Sequence, residues 1–548
     1  QLALNGEVYN HHKLRKLLLA NDVDLWSSSD TEVAAVLVDW IGDLETALSR
    51  MNGMFAGALV DTRDRRLFLF RDRMGVKPMY WTRLDDGGVA FASELKALLV
   101  HPQVRRSVDR RALQTYLMFE YVPSPATIYR NIHKVEPGTW IEVDAQGVRE
   151  HRWWTPPVPE PGNIGSVSRS AEALMGALQV AILDRMRADV DVGYLLSGGL
   201  DSSAVAALAQ SKQREPIHTF SVAVDAPGFD ESSWSRQVAG ELGSHHHELR
   251  LGADVLEPTL DQLTRCLDEP LADSSLVVTW KLMEHVRATG FKSVMSGDGA
   301  DESFAGYPTC LAHRIVEKLP AVAPLGELLR PALRHLPVSS HGVSRDYMMR
   351  RFMDGMGLPW ARRHQVWMGA WLPSELDVVP TAWREVDAHA HAAHDTDPVS
   401  RCLYLDQRLY LADGVLVKMD RASMAHGVEV RSPFMDHSVV ELAAAMTPRM
   451  KLHGRQTKLV LRRAVRDLVP GSVLERPKKG FGTPVGPWLR GPCRHLLEDL
   501  PESTEGWIPS DLLRRVIDEH LAGTTDHRRR LWSALVLARW REGPWGPG

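Results

Sequence analysis

Cysteine is scarce in this chain. Only Cys266, Cys310, Cys402 and Cys493 occur in 548 residues, and no two share a CxxC spacing. The sequence therefore offers neither a disulfide framework nor a zinc-ligand pattern, and a reducing cytoplasm is the expected setting. Long apolar runs are missing too: none reaches the roughly 18 residues that a membrane helix needs. A charge excess of either sign is absent, with 65 Lys and Arg against 69 Asp and Glu and a net charge of −4. That balance leaves no basic footprint for nucleic acid or an anionic membrane. No internal repeat and no low-complexity tract is present. An initiator Met is also missing. The first segment, Gln1-Leu2-Ala3-Leu4-Asn5-Gly6-Glu7, reads as a strand end running into a turn, so further residues are expected upstream.

What is there fits an ordinary globular protein, 44% hydrophobic and 24% charged. The length suits two or three domains. Residues 1–154 show short apolar runs, Phe55 to Val60, Arg66 to Phe70 and Val89 to Phe91, parted by turn residues such as Asp85-Asp86-Gly87-Gly88. Residues 155–168 read as a linker, with Pro156, Pro157, Pro159 and Pro161 in its Thr155–Ser166 stretch. From 169 to about 540 the pattern changes, leaving 541–548 as a tail. A helix (Ser170 to Ala188) leads to an apolar strand (Val190 to Leu196). A helix (Ser202 to Gln210), a strand (Ile217 to Ala223), a helix (Glu231 to Leu242), a strand (His246 to Leu251) and a strand (Lys292 to Met295) follow. Strands alternating with helices predict an α/β fold with a doubly wound parallel sheet. From about Pro308 onward the chain reads as mostly helical.

The most informative segment is Ser197-Gly198-Gly199-Leu200-Asp201-Ser202-Ser203, between a strand and a helix. Its glycines allow a tight turn and close approach of a ligand. The helix start offers unpaired N–H groups and a positive dipole end, which together make an anion site. Asp201 would repel a bare phosphate, so a bridging cation is implied, most simply Mg²⁺. A Walker loop is excluded, because no Lys follows the last glycine. The bland alternative is a plain turn with Ser202 as a cap.

A second strand end, Ser296-Gly297-Asp298-Gly299-Ala300-Asp301-Glu302, again joins small residues to carboxylates. In open parallel sheets ligands lie beyond the carboxyl ends of strands. Asp201 and Asp301 could thus hold one Mg²⁺–pyrophosphate; the alternative is an acidic surface turn. Leu416-Val417-Lys418-Met419-Asp420-Arg421 reads as a helix with i,i+3 and i,i+4 charge pairs. Lys458, in Gln456-Thr457-Lys458-Leu459-Val460-Leu461-Arg462, reads alone as a solvated helix residue.

Taken in order, these segments resemble the glutamine-hydrolysing asparagine synthetase family over nearly the whole chain. SGGLDSS, SGDGADE, VKMDRASMAHGVEVRSPFMDH and RPKKGFGTPVGPWLRG (Arg476 to Gly491) resemble its synthetase half. Asn5 to Asn10, Ser29 to Glu32, Arg71 to Pro78 and Ser93 to Lys96 resemble its glutaminase half. The resemblance implies an N-terminal-nucleophile glutaminase domain with β-sheets, followed by an ATP-pyrophosphatase domain with a helical C-terminal part.

It also implies a reaction. A carboxylate attacks the α-phosphorus of ATP, and ammonia then displaces AMP to form an amide. By resemblance, Ser197, Gly198, Gly199, Ser202 and Ser203 cradle pyrophosphate, and Ser296 and Gly297 meet the α-phosphate. The backbone of Leu195 and Val222 holds adenine, and Asp201 and Asp301 bind Mg²⁺. Lys458 neutralises charge on phosphorus and Asp298 handles ammonia. In the glutaminase half, Asn5 and Gly6 form the oxyanion hole, and Glu7 and Asp30 bind glutamine. Asp30 also fits a helix start, where Ser29 and Glu32 are spaced as a capping box.

Three departures stand out. No cysteine precedes Cys266, so the family's nucleophile is absent; its His-Arg-Gly-Pro-Asp segment is absent as well. A front-truncated chain is therefore expected, using free ammonia. Ser303 and Ala305 replace the family's usual Leu or Val and Gly, leaving room for a carboxylate other than aspartate. Small-molecule partners are expected: aspartate or a similar carboxylate, with glutamine or ammonia. Nucleic acid and membrane are not expected, and a homodimer stays open. The rivals are a relative acting on another carboxylate or closing a β-lactam, a tRNA-modifying enzyme with a similar loop, and a non-catalytic nucleotide binder. His245-His246-His247 is not expected to bind metal, since successive strand residues point to opposite faces. The same holds for His389, His391 and His394, whose spacing forms no helical ligand face.

Overall fold

The computed structural model describes residues 1–158, 165–318, 345–476 and 482–547. Residues 159–164 of the expected linker, with Pro159 and Pro161, and residues 477–481 of the RPKKGFG stretch lie outside the described residues.

Thirteen strands matter here: β1 (Leu2–Val8), β2 (Gly53–Asp61), β3 (Arg66–Arg71), β4 (Tyr80–Arg83), β5 (Val89–Ala92), β6 (Ile132–Lys134), β7 (Thr139–Asp144), β8 (Gly147–Arg152), β9 (Val192–Leu195), β10 (His218–Val224), β11 (His245–Leu251), β12 (Ser293–Met295) and β13 (Glu429–Arg431). The first half holds an antiparallel sheet in the order β1-β2-β3-β7-β8 and a small one in the order β5-β4-β6. Phe68, Phe70 and Phe55 bury against Val33, Ala34 and Leu37 of the helix Asp30–Ile41. Ser29 caps that helix, its Oγ accepting from Thr31 N at 3.1 Å. The expected capping box does not close: Glu32 instead accepts from Trp26 N and Ser27 N at 2.6 and 2.7 Å. The residues before the helix fold back, so nearer backbone donors claim its carboxylate.

The second half is built on a five-stranded sheet in the order β11-β10-β9-β12-β13. Every pairing in it is parallel. The middle strands are buried on both faces, as parallel sheets require, which explains the unbroken apolar run Thr219 to Val224 around its two small hydroxyls. The helix Leu200–Gln210 is buried from Ser202 to Ala209, and its alanines let it lie close to the sheet. The chain winds from β9 outward to β10 and β11, then crosses back to β12 on the other side. The order reverses between β9 and β12, and doubly wound sheets open a ligand crevice at such a point. Beyond Pro308 the described residues are mostly helical, including a π-helical stretch Asp406–Val415. Among the described residues no helix is long and apolar enough to cross a membrane.

The two halves share a buried seam. Lys77 Nζ lies 3.0 Å from Asp420 Oδ1, and Lys134 Nζ lies 2.7 Å from Glu269 Oε1. Trp154 Nε1 donates to Glu441 at 3.0 Å, and Asn52 Nδ2 to Asp436 at 2.9 Å. The helix Leu416–Met424 is therefore not laced by its own charges, as its spacing suggests. Lys418 pairs with Asp273 at 2.8 Å, Asp420 with Lys77, and Arg421 with Glu94 at 3.5 Å and Asp268 at 3.6 Å. Burial decides this, because each buried charge needs a fixed partner, and only other elements come close enough to surround it.

Candidate functional site

The loops after β9 and β12 meet at the reversal point. In the first, Gly198 takes φ +68°, and a Cβ there would sit 2.5 Å from the carbonyl carbon of Trp234. Ser197 Oγ and Ser202 Oγ lie 3.1 Å apart, and Ser202 Oγ lies 3.2 Å from Ser197 N, closing the loop on itself. Gly199 starts the helix without a side-chain cap, so the first-turn N–H groups stay open to a ligand. Ser203 Oγ is buried without a hydrogen-bond partner.

The second loop packs directly on the first. A Cβ on Gly297 would come within 2.9 Å of Ser202 N. Ser296 Oγ donates to Asp298 Oδ2 at 2.8 Å, and Ser432 Oγ donates to Asp298 O at 2.6 Å. Burial pushes the Asp298 carboxyl above its ordinary range, against the pull of Lys418 and Ser296. Glu302 is raised to about 8 by burial and by Asp301, and Tyr307 Oη donates to it at 2.6 Å.

Across the crevice, Lys458 Nζ lies 2.5 Å from Asp201 Oδ2 and 2.5 Å from Asp301 Oδ1. Lys458 is 2% exposed, so the solvated reading of it does not hold. Its backbone takes φ +55°, and its N–H donates to Phe304 O at 3.2 Å. Gly306 makes this triad sterically feasible. A Cβ there would lie 1.7 Å from Asp301 Oδ1 and 2.4 Å from Lys458 Cε.

The two carboxylates fit a divalent cation. Each has an oxygen 2.5 Å from Lys458 Nζ, so those oxygens are at most about 5 Å apart, within reach of one divalent cation. Asp201 Oδ1 is also buried without a hydrogen-bond partner.

Leu195 and Val222 end up on adjacent strands near their carboxyl ends, beside the loop, and Leu196 N donates to Phe220 O at 2.8 Å. One residue of the site went unassigned from sequence. Arg476 Nη1 donates to Gly198 O at 2.8 Å and reaches Ser197 O at 3.4 Å. Its guanidinium also pairs with Glu231 and lies over the Trp234 ring, 4.9 Å from its centre. The RPKKG stretch was the available signal, since a buried Arg is suited to gathering several carbonyls.

Ser303 and Ala305 flank the acidic loop. Both are fully buried, Ala305 in an apolar cluster with Cys310, Val399, Cys402, Leu403 and Leu452. They pack behind the acidic loop. Ala305 takes φ +58°, a left-handed conformation that favours glycine.

In the first half, Asn5 pairs with Ala56 and Gly6 with Phe55 across β1 and β2. A Cβ on Gly6 would fall 1.9 Å from Met54 O. Asp30 Oδ2 accepts from Val8 N at 2.8 Å, which places it beside Glu7. Burial raises the Glu7 carboxyl to about 7; Arg431 opposes this and Asp30 adds to it. Arg431 Nη2 is 3.8 Å from Glu7. The Arg71 to Pro78 stretch proves to be scaffolding. Asp72 accepts from the backbone N–H of Phe55, Met74, Val76 and Lys77 at 2.9–3.2 Å. His246 and His247 face opposite ways, to Thr219 and Ser221 and to His218 respectively.

Comparison with known proteins agrees with this two-part layout. Residues 173–542 match the family model for asparagine synthase, and residues 1–154 match that for a glutamine amidotransferase domain. A putative glutamine-hydrolysing asparagine synthetase of Mycobacterium tuberculosis (strain ATCC 25618 / H37Rv) is 33% identical over 98% of this chain and 84% of its own length. Glutamine-hydrolysing asparagine synthetase 1 of Bacillus subtilis (strain 168) is 29% identical over 98% of this chain and 85% of its own length. The amidase chry2 of Gibberella zeae is more distant, 26% identical over 91% of this chain and 79% of its own length. With a buried acid–lysine–acid triad at the sheet's reversal point and a matching family model over most of its length, the chain belongs to the asparagine synthase family of ATP-dependent, amide-forming ligases.

Proposed function

We propose that the chain makes asparagine from aspartate and ATP, with glutamine or ammonia as the nitrogen source and with AMP and pyrophosphate as products. The observation that carries this reading is the convergence of Asp201, Asp301 and Lys458 between the two loops.

ATP lies with adenine against the backbone of Leu195 and Val222. Its β- and γ-phosphates sit in the cradle of Ser197, Gly198, Gly199, Ser202 and Ser203. Ser296 and Gly297 lie at the α-phosphate. Asp201 and Asp301 would hold Mg²⁺, which would neutralise charge on the departing pyrophosphate. An aspartate side-chain oxygen attacks the α-phosphorus, the bond to pyrophosphate breaks, and an acyl-adenylate forms. Lys458 offsets the negative charge that grows at phosphorus. Ammonia attacks the acyl carbon, loses a proton to Asp298, and AMP leaves. Most of the work is placement and charge compensation, because the phosphoryl chemistry needs little covalent help from protein. Asn5, Gly6, Glu7 and Asp30 form the glutamine subsite of the first half.

The test measures AMP and pyrophosphate from the 548-residue chain with ATP and a panel of carboxylates, with ammonium or glutamine as nitrogen source. Aspartate should be turned over fastest of the carboxylates. Preference for another carboxylate would overturn the assignment of aspartate.

A further inference from the structure

Cys310 and Cys402 are 92 residues apart in the chain, yet their sulfurs lie 3.1 Å apart. Their spacing offers no zinc pattern; packing of three helices supplies one. Cys310 and His313 lie one turn apart on the helix Pro308–Lys318. His364 comes from the helix Trp360–Met368, and Cys402 from the helix Pro398–Leu405, with Asp406 one turn further on. All five side chains are buried, none more than 2% exposed.

Their polar atoms converge. His313 Nε2 is 3.2 Å from His364 Nδ1, and Cys402 Sγ is 3.6 Å from the same nitrogen. These three atoms all lie within 4.8 Å of one another, as do Cys310 Sγ, Cys402 Sγ and an Asp406 oxygen. His364 Nε2 lies 2.9 Å from Asp406 Oδ1. That contact puts the proton on Nε2 and leaves the Nδ1 lone pair facing His313 and Cys402.

A tetrahedral zinc with the usual bond lengths has edges of about 3.3 Å between nitrogens, about 3.5 Å between nitrogen and sulfur, and about 3.8 Å between sulfurs. The observed 3.2 Å and 3.6 Å match the first two. Cys310 Sγ lies 3.1 Å from Cys402 Sγ but outside the group that the two imidazoles form with Cys402, so it must turn about its Cα–Cβ bond on binding to become the fourth ligand. A carboxylate on the far nitrogen of a ligating imidazole is the usual support of such sites.

We propose that His313 Nε2, His364 Nδ1, Cys402 Sγ and Cys310 Sγ bind one zinc ion, with Asp406 as a positioning residue for His364. Both thiols lose their protons to solvent as the two Zn–S bonds form. Four protein ligands close the site, so its role is structural. It ties three helices together behind the ATP crevice. Ala305, next to the Asp301 turn, packs in the same cluster as Cys310 and Cys402, and Gln407 donates to Glu302 O at 3.2 Å.

The test is metal analysis of the full chain, purified under reducing conditions without chelator. One zinc per chain should be present and should survive dialysis against EDTA. The Cys310→Ser/Cys402→Ser double variant should lack it. Cobalt loaded in place of zinc should give a thiolate-to-cobalt charge-transfer band, lost in Cys402→Ser. If the double variant does not fold, the wild-type zinc content and cobalt band decide. A reduced, folded chain that holds no zinc and shows no thiolate band with cobalt would overturn the proposal. A Cys310–Cys402 disulfide in peptides of the native chain would overturn it too.

Discussion

Lys458 Nζ stands 2.5 Å from Asp201 Oδ2, so two residues 257 positions apart form one buried ion pair at the mouth of the ATP loop. The pair is shared with Asp301, which makes Lys458 the counter-ion of both carboxylates. Asp201→Ala should abolish pyrophosphate release, by ~10²-fold or more, because charge compensation at the reacting phosphate carries much of such catalysis. Circular dichroism should stay unchanged. Retained ATP cleavage would refute the cation role of Asp201. Lys458→Ala should lose activity to a similar degree and should also melt earlier. Added Mg²⁺ should raise its melting temperature more than that of the wild type, since two carboxylates then lack their ammonium.

Arg476 gathers the carbonyls of Ser197 and Gly198. Hydrogen bonds from charged groups contribute about 1.5–3 kcal/mol. Arg476→Ala should therefore raise the KM for ATP by roughly 10- to 100-fold. Arg476→Lys should restore little, because one ammonium cannot reach both carbonyls and Glu231 at once. Unchanged ATP affinity in Arg476→Ala would show that the loop holds its shape unaided.

Lys77 and Asp420 are a test of the seam, with side chains only 4% and 7% exposed. Removing one partner strands the other charge, at a cost of about 3–5 kcal/mol. Lys77→Met should lower the urea midpoint accordingly. The double variant Lys77→Met/Asp420→Leu should recover most of the loss. Additive losses in the double variant would mean the pair is not coupled.

Glu7 gives a pH signature. Its carboxyl is raised from 4.5 to about 7, with burial the first cause. The folded chain thus keeps a proton that the unfolded chain releases, and stability falls as pH rises through that window. Relative to Glu7→Gln, the wild type should lose melting temperature between about pH 4.5 and 7 and stay level above it. A difference that grows in the opposite direction would contradict the raised carboxyl.

The ATP loop was legible because it is local. A strand, two glycines and a helix start specify their own geometry within a dozen residues. The parallel sheet was legible for the same reason, through β9 to β12. What the sequence hid was partnership across distance. Lys418, Asp420 and Arg421 looked like neighbours on one helix face, but burial sends each to another element. Lys458 looked solvated, because nothing nearby in sequence announces Asp201 and Asp301. Cys310 and Cys402 looked isolated, because three helices must pack before they meet.

The seam has a consequence for how this protein melts. Lys77, Trp154, Asn52 and Lys134 find their partners in the other half, so neither half is electrostatically complete when cut free. Calorimetry of the whole chain should accordingly show the halves melting in one cooperative step, and an excised first half should aggregate rather than refold.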